Sequence, residues 1–287
     1  MHSINGMIHT VDEKNRIIGI VDKNRINYYY LTRSQMHKFD LYLKKGVFVS
    51  FYIDKKAVVR NHYKATEIKQ FVKITVRSGR RVHNYYDTNH IQEELKKIIN
   101  KPTYRMFLDF EFTMPPYSHK PHSGGFTSEI IRYGFYIEDE DGKIVDSVNG
   151  FVKPKLSKNL SDRTMDFLGI NNYDIYKAPS FYKFYNLFNE YMVLYQPTIY
   201  VWGRNDILVL DKTYEMYNLR KLTKRNNFIN LMQIIKTYFS IKDDIGLYSA
   251  YSLFNKKPPM DVQDHNPLHD ALCELEIYHL FSEQINK

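Results

Sequence analysis

A small all-β barrel followed by an α/β domain, with a mixed sheet and flanking helices, is the architecture predicted for this 287-residue chain. Up to about residue 80 the sequence breaks into short apolar runs separated by charged and Asn-containing turns. From Tyr104 onward, longer strand-like runs alternate with helical ones. Charge divides in the same region: residues 1–100 hold 19 Lys and Arg against 9 Asp and Glu, whereas residues 101–287 hold 22 against 23. A basic module before a near-neutral one fits binding of a polyanion by the first and chemistry on it by the second. A surplus that merely aids solubility is the alternative.

In the first module, strands are expected at 6–11, 16–21, 26–31, 47–53 and 57–60, the last leading toward 71–76, with a helix over 34–43. Five or so strands in about 80 residues suggest a small barrel. Ser78-Gly-Arg-Arg81 begins a polar connection, unless Gly79 marks a hairpin, and 91–99 reads as a short helix exposing Glu93, Glu94, Lys96 and Lys97. The barrel is therefore assigned to residues 1–88, a linker helix to 89–102 and the α/β domain to 103–287. Lys55, Lys56, Arg60, Lys64, Arg77, Arg80 and Arg81 are candidate phosphate contacts, because charge attraction needs less exact placement than base recognition. Tyr28 and Tyr30 are candidate stacking residues, although strand alternation sends about half of the barrel's aromatics into the core.

The second module opens with Phe107-Leu-Asp-Phe-Glu-Phe-Thr113. A strand's side chains alternate, so Met106, Leu108, Phe110 and Phe112 share one face and Asp109 and Glu111 the other. Two acids beside a hydrophobic sheet are costly unless solvated, as on an edge strand, or compensated by a divalent cation. Pro115 and Pro116 stop the strand just beyond them, which puts the pair near a carboxyl end, where open α/β sheets place ligands. Strands follow at 130–137 and 144–153, joined by the Asp139-Glu-Asp-Gly142 turn of a hairpin. A helix at 180–195 precedes the strand 199–202. Asn205 is a good N-cap for a helix whose first turn holds Asp206, at a second strand terminus. A helix spans 231–238. In His265-Asn-Pro-Leu-His-Asp270, Asn266 caps and Pro267 begins the last helix, which leaves His265 in the preceding loop and Asp270 in the first turns. His269 reads as an exposed or structural residue. Zinc would require His265 or His269 together with His119 or His122, and no spacing supports such a site.

Composition narrows the classes. A lone cysteine, Cys273, excludes an intrachain disulfide and a cysteine-rich zinc centre, and is expected in the core. No run of about 18 apolar residues suggests a membrane span, so the default address is a reducing cytoplasm.

Taken in order, Asp109-Phe-Glu111 with Thr113, Asp206 in Trp202-Gly-Arg-Asn-Asp, and His265 four residues before Asp270-Ala271 resemble the DEDDh-type 3′–5′ exonuclease superfamily, which has four acids and a catalytic histidine. Glu129-Ile-Ile-Arg-Tyr-Gly134, Phe151-Val-Lys-Pro154 and Gly169-Ile170 are similar as well, and the resemblance covers about residues 104–284. The first module, through Gly6, Ile8, Gly19-Ile20-Val21, residues 28–31 and 46–51, and Lys64-Ala-Thr-Glu-Ile68, diffusely resembles a cold-shock type of OB domain. These resemblances imply a ribonuclease H-like fold and hydrolysis of single-stranded RNA or DNA from the 3′ end to nucleoside 5′-monophosphates. They also imply Asp109, Glu111, Asp206 and Asp270 as ligands of two Mg²⁺ or Mn²⁺ ions, His265 as general base, and Thr113 at the strand's end. Met114-Pro-Pro and the polar insertion to Gly125 depart from the glycine many relatives carry, where the terminal nucleotide is expected. A nucleic-acid-binding or complex-forming protein on a nuclease scaffold is the alternative. The sequence leaves RNA versus DNA and oligomeric state open, and implies no membrane partner.

Overall fold

The computed structural model describes residues 2–23, 25–79, 81–119, 125–260 and 263–287, without the side chains of 54–56 and 78. The chain divides into two compact units, Met1–Leu95 and Lys96–Lys287. The division falls within the helix expected between the modules.

The first unit contains β1 (His2–Asp12), β2 (Ile17–Asp22), β3 (Arg25–Tyr30), α1 (Arg33–Phe39), β4 (Phe48–Arg60), β5 (Tyr63–Ser78) and β6 (Arg81–Asp87), followed by α2 (Thr88–Ile99). Antiparallel pairing joins β3 to β2, β2 to β1, β1 to β4 and β4 to β5, and β3 then closes onto β5 in parallel through Tyr28↔Ala65 and Tyr30↔Glu67. A closed five-strand circuit with a helix between its third and fourth strands is an OB-like barrel. Alternation fills it: Val49 and Phe51 are buried with Ile8, Ile18, Ile68 and Phe71, while Phe48 and Tyr52 face outward. The Gln35 side chain completes a capping box with Thr32 and donates to Ile68 O at 2.9 Å, fixing α1 against β5.

Three details differ from the sequence expectation. Segments 47–53 and 57–60 are one strand, with a register shift between Ile53 and Ala57 accommodating the irregularity. β5 begins at Tyr63 because Asn61 and His62 both adopt positive φ, +42° and +74°, the conformation of a tight two-residue hairpin turn. Gly79, at φ +60°, does mark a hairpin, so β6 replaces the expected polar connection.

The second unit contains β7 (Arg105–Phe112), β8 (Ile130–Glu138), β9 (Ile144–Phe151), α3 (Asp162–Leu168), α4 (Asn172–Tyr176), α5 (Phe181–Tyr195), β10 (Thr198–Val201), α6 (Asn205–Met216), β11 (Phe228–Asn230), α7 (Leu231–Phe239), α8 (Leu247–Ala250) and α9 (Pro267–Asn286). Its sheet runs β11-β10-β7-β8-β9, with β10 and β11 parallel to their neighbours and β8 and β9 antiparallel. The Asp139 carboxylate accepts the amides of Asp141 and Lys143 and shapes the β8–β9 turn. One face of β7 packs Met106, Leu108 and Phe110 against Phe184, Phe188, Leu210 and Tyr214. On α9, Ala271, Cys273, Leu275, Ile277, Tyr278 and Phe281 are buried; burial of each larger apolar side chain contributes roughly 1.5–3 kcal/mol. Among the described residues no helix is long and apolar enough to cross a membrane.

Candidate active site

Asp109 and Glu111 lie near the carboxyl end of the central strand β7, on the face opposite Leu108 and Phe110. Directly across the ladder from Asp109 stands Gly134. A Cβ there would come within 2.3 Å of Leu268 N and 2.5 Å of Pro267 C. Only the missing side chain lets the first turn of α9 settle onto β8 beside Asp109. Asn266 caps that turn, accepting from Leu268 N at 3.2 Å, and Pro267 occupies its start, so Asp270 is delivered within the first turn as expected.

Asp206 arrives from β10. Contrary to the expected Asn205 cap, Arg204 precedes the helix and supplies no side-chain cap, and Asn205 is already helical. Gly203, with φ +107°, makes the sharp exit from the strand. The Asp206 carboxylate does more than face its own helix: Oδ1 accepts the Phe110 amide at 3.2 Å, tying α6 to β7 between the two acids of that strand.

The resulting cluster is buried and short of partners. Glu111, Asp206 and Asp270 are all buried, and Asp109 Oδ2 and Asp270 Oδ1 have no hydrogen-bond partner among the described residues. Burial pushes the Asp109 carboxyl well above its ordinary range, and the charges of Asp206, Glu111, Glu274 and Asp270 push it further. Burial, with Asp270 and Asp206, lifts Glu111 to about 8; burial lifts Asp206 to about 7 against two backbone amides that oppose it. Asp270 rises to about 6, again through burial, with the Gln263 amide opposing. Orphaned carboxylate oxygens that repel one another are the donor set a hard divalent cation satisfies. Glu111, His265 and Asp270 each present a ligand atom within 4.8 Å of the others.

His265 sits in the loop before α9 with φ +51° and places Nδ1 3.8 Å from Glu111 Oε1. Its ring lies against Phe167 of α3, centroids 3.9 Å apart and planes 31° apart. Burial lowers its pKa, which keeps the imidazole neutral and able to accept a proton at neutral pH. His269 turns elsewhere, with Nδ1 2.7 Å from Asp264 Oδ2.

Several residues at the site have no counterpart in the sequence reading. Glu274 is fully buried one turn beyond Asp270; Oε1 accepts the Trp202 amide at 2.9 Å and Oε2 is unpartnered. Its i+4 spacing from Asp270 was the available signal. Gln263 donates to Asp270 Oδ2 at 2.7 Å, and Phe167 supports His265; neither pairing has a local sequence signature.

The expected nucleic-acid contacts are dispersed. Thr113 is buried, its hydroxyl accepting the Glu129 amide at 3.0 Å while its own amide donates to Glu129 O. Tyr30 is largely buried, and the Arg60 guanidinium lies 4.2 Å from its ring centroid. Tyr28 is half-buried edge-on against Tyr63. Lys64, Arg77 and Arg81 are exposed on the barrel. The side chains of Lys55 and Lys56, and all of Arg80, lie outside the described residues.

The second unit is similar to known proteins. The exonuclease family model that includes ribonuclease T matches residues 106–278. A probable 3′–5′ exonuclease of Bacillus subtilis (strain 168), KapD, is 27% identical over 178 residues, covering 62% of this chain and 84% of KapD. The nuclease domain of 3′hExo, a DEDDh family member solved bound to rAMP, superposes with a TM-score of 0.55 at 19% identity, over 64% of this chain and 93% of that one. Cell-death related nuclease 4 gives 0.52 at 20% identity, over 64% of each chain. These two share the fold of the second unit, a ribonuclease H-like mixed sheet with helices. With acidic strand ends and a loop histidine inside the matched span, the chain belongs to the ribonuclease T exonuclease family and is a nuclease, a hydrolase of nucleic-acid phosphodiesters.

Proposed function

We propose that the protein removes nucleotides stepwise from the 3′ end of single-stranded RNA or DNA, releasing nucleoside 5′-monophosphates. The observation that carries this reading is the convergence of Asp109, Glu111, Asp206 and Asp270, with carboxylate oxygens left unpartnered in a buried site, beside a neutral histidine. The polarity rests on the kinship with KapD. The four carboxylates are the residues to hold two Mg²⁺ or Mn²⁺ ions, which when bound supply positive charge that activates water and offsets the charge developing on the phosphate. His265 orients the attacking water and takes its proton on a ring nitrogen, while Phe167 and the loop hold the imidazole plane. The water oxygen joins phosphorus, the bond to the 3′ oxygen of the preceding nucleotide breaks, and that oxygen takes a proton from solvent while His265 returns its own to solvent. Asp206, bonded to the Phe110 amide, keeps its carboxylate fixed between the two β7 acids throughout. The basic barrel holds the strand through its phosphates.

The test is turnover of matched 3′-labelled and 5′-labelled RNA and DNA strands with Mg²⁺ or Mn²⁺, a chelator control and Asp109→Asn. The expected result is cation-dependent release of a labelled mononucleotide from the 3′ end, lowered by about 10³-fold or more in the variant, the scale on which loss of one catalytic group is felt. Intact strands under every condition would point instead to a binding protein on a nuclease scaffold, and unchanged turnover by Asp109→Asn would sink the assigned site.

A further inference from the structure

Away from the carboxylates, the loop after β9 and the short helix α4 enclose a cleft of about 520 Å³ lined by Lys153, Lys158, Asn159, Tyr173 and Tyr176, among others. Three lysines and no carboxylate stand among the described residues that line it, within a half of the chain whose basic and acidic residues nearly balance. The tyrosines are 64% and 75% exposed, unusual for rings on a concave surface, and each has a lysine ammonium beside it: Lys153 Nζ lies 4.9 Å from the Tyr176 centroid, and Lys177 Nζ donates to the Tyr173 hydroxyl.

This cleft lies past the carboxyl end of β9, and a neighbouring cleft leads from it toward the end of β7. A second, narrower cleft of about 250 Å³ begins at Thr113, two residues past Glu111, and shares Ser157, Asn159 and Leu160 with the first. The wall between them is fixed before any ligand arrives. The buried Glu129 carboxylate accepts the amides of Lys155, Leu156 and Ser157 at 2.5, 2.9 and 2.8 Å, and the Glu129 backbone pairs with Thr113. Ser161 Oγ donates to Met114 O at 2.8 Å, and Met114 N donates to Thr164 Oγ1 at 2.9 Å, so α3 and the end of β7 hold the other side.

We propose that the Lys153–Tyr176 cleft is a subsite for the nucleotides that precede the scissile one, with lysine ammonium groups on phosphates and the Tyr173 and Tyr176 rings under bases. Interleaved cations and exposed aromatic faces are the chemistry that takes a single strand without reading its sequence. This subsite rests on the exonuclease reading above and extends it along the strand.

The test uses the full-length protein and two measurements. The first is the ratio of kcat/KM for a decanucleotide to that for a dinucleotide, which supplies a single preceding nucleotide and so cannot fill a cleft that holds several. Tyr176→Ala and Lys158→Ala should each lower the ratio by roughly tenfold, the scale of a single base stack or phosphate ion pair, and Tyr176→Phe and Lys158→Arg should restore it. A ratio unchanged in both alanine variants overturns the subsite. The second is photocrosslinking of a 5-iodouridine decanucleotide in chelator, mapped by mass spectrometry. Crosslinks at Tyr173 or Tyr176 support the assignment, and crosslinks confined to other peptides refute it. Wild-type protein that releases no mononucleotide from any strand defeats the exonuclease reading, and the crosslinks still decide whether the cleft holds a strand.

Discussion

Withdrawing divalent cations should make folding stability fall as pH rises, and Glu111→Gln should remove a defined part of that fall. In the unfolded chain the Glu111 carboxyl ionises near 4.5, whereas in the folded protein it keeps its proton up to about 8. Between those limits the folded state binds one proton more than the unfolded state, so the free energy of unfolding decreases by about 1.36 kcal/mol per pH unit from this residue alone. The stabilisation is fully present below pH 4.5 and is lost as pH passes through 8. Across pH 5 to 8 that amounts to on the order of 4 kcal/mol, an upper figure because protonation of one acid relieves its neighbours. Asp206 and Asp270, raised to about 7 and about 6, steepen the slope in the lower part of the range. The assay is urea unfolding in chelator at pH 5, 6, 7 and 8, with and without excess Mg²⁺ or Mn²⁺. Wild type should lose stability toward pH 8 in chelator and regain it with the cation, whose binding favours the ionised acids. Glu111→Gln should show a shallower slope and a smaller gain from the cation. Equal slopes for wild type and variant in chelator would refute the reasoning.

Three other expectations concern particular side chains. Gly134→Ala forces a Cβ into the backbone of Pro267 and Leu268, so it should destabilise by about 1–3 kcal/mol or more and lower turnover by displacing α9, measured by denaturant unfolding and strand hydrolysis. Phe167→Ala should lower kcat with little change in KM, because the imidazole loses its support, and Phe167→Tyr should recover most of the loss; a KM effect alone would assign the ring to substrate binding instead. Replacing Lys64, Arg77 and Arg81 together by Glu should weaken strand binding and flatten its salt dependence, by roughly 0.7 in the log–log slope for each phosphate that is no longer neutralised. An unaltered slope in fluorescence anisotropy titrations would take the strand-binding role away from these three residues.

Much of the domain's core and acid placement was legible because it follows from local periodicity. Alternation along β7 separates Asp109 and Glu111 from Leu108 and Phe110, and the Asn266-Pro267 cap places Asp270 in a first turn. The barrel's pairing was less legible. Asn61-His62 makes a tight turn with no glycine, and the β3–β5 closure joins strands that no short turn connects. Phe167 with His265 and Glu274 with Trp202 are pairs from segments that meet only in the folded chain, so composition and spacing are silent on their geometry. Thr113 and Tyr30 also take part in internal bonding and packing, which residue type alone does not announce.

The docking of α9 against Gly134 also brings the two ends of the domain together at the acidic cluster. Asp109 and Glu111 belong to the first strand of their unit and Asp270 to its last helix, so the fourth acid joins only when the two ends of the domain meet. The mutual repulsion that helps raise the pKa values of these carboxyls in the folded protein is therefore a cost of closing the domain. A divalent cation held by these acids, as proposed above, would offset that cost and favour the docked helix by mass action.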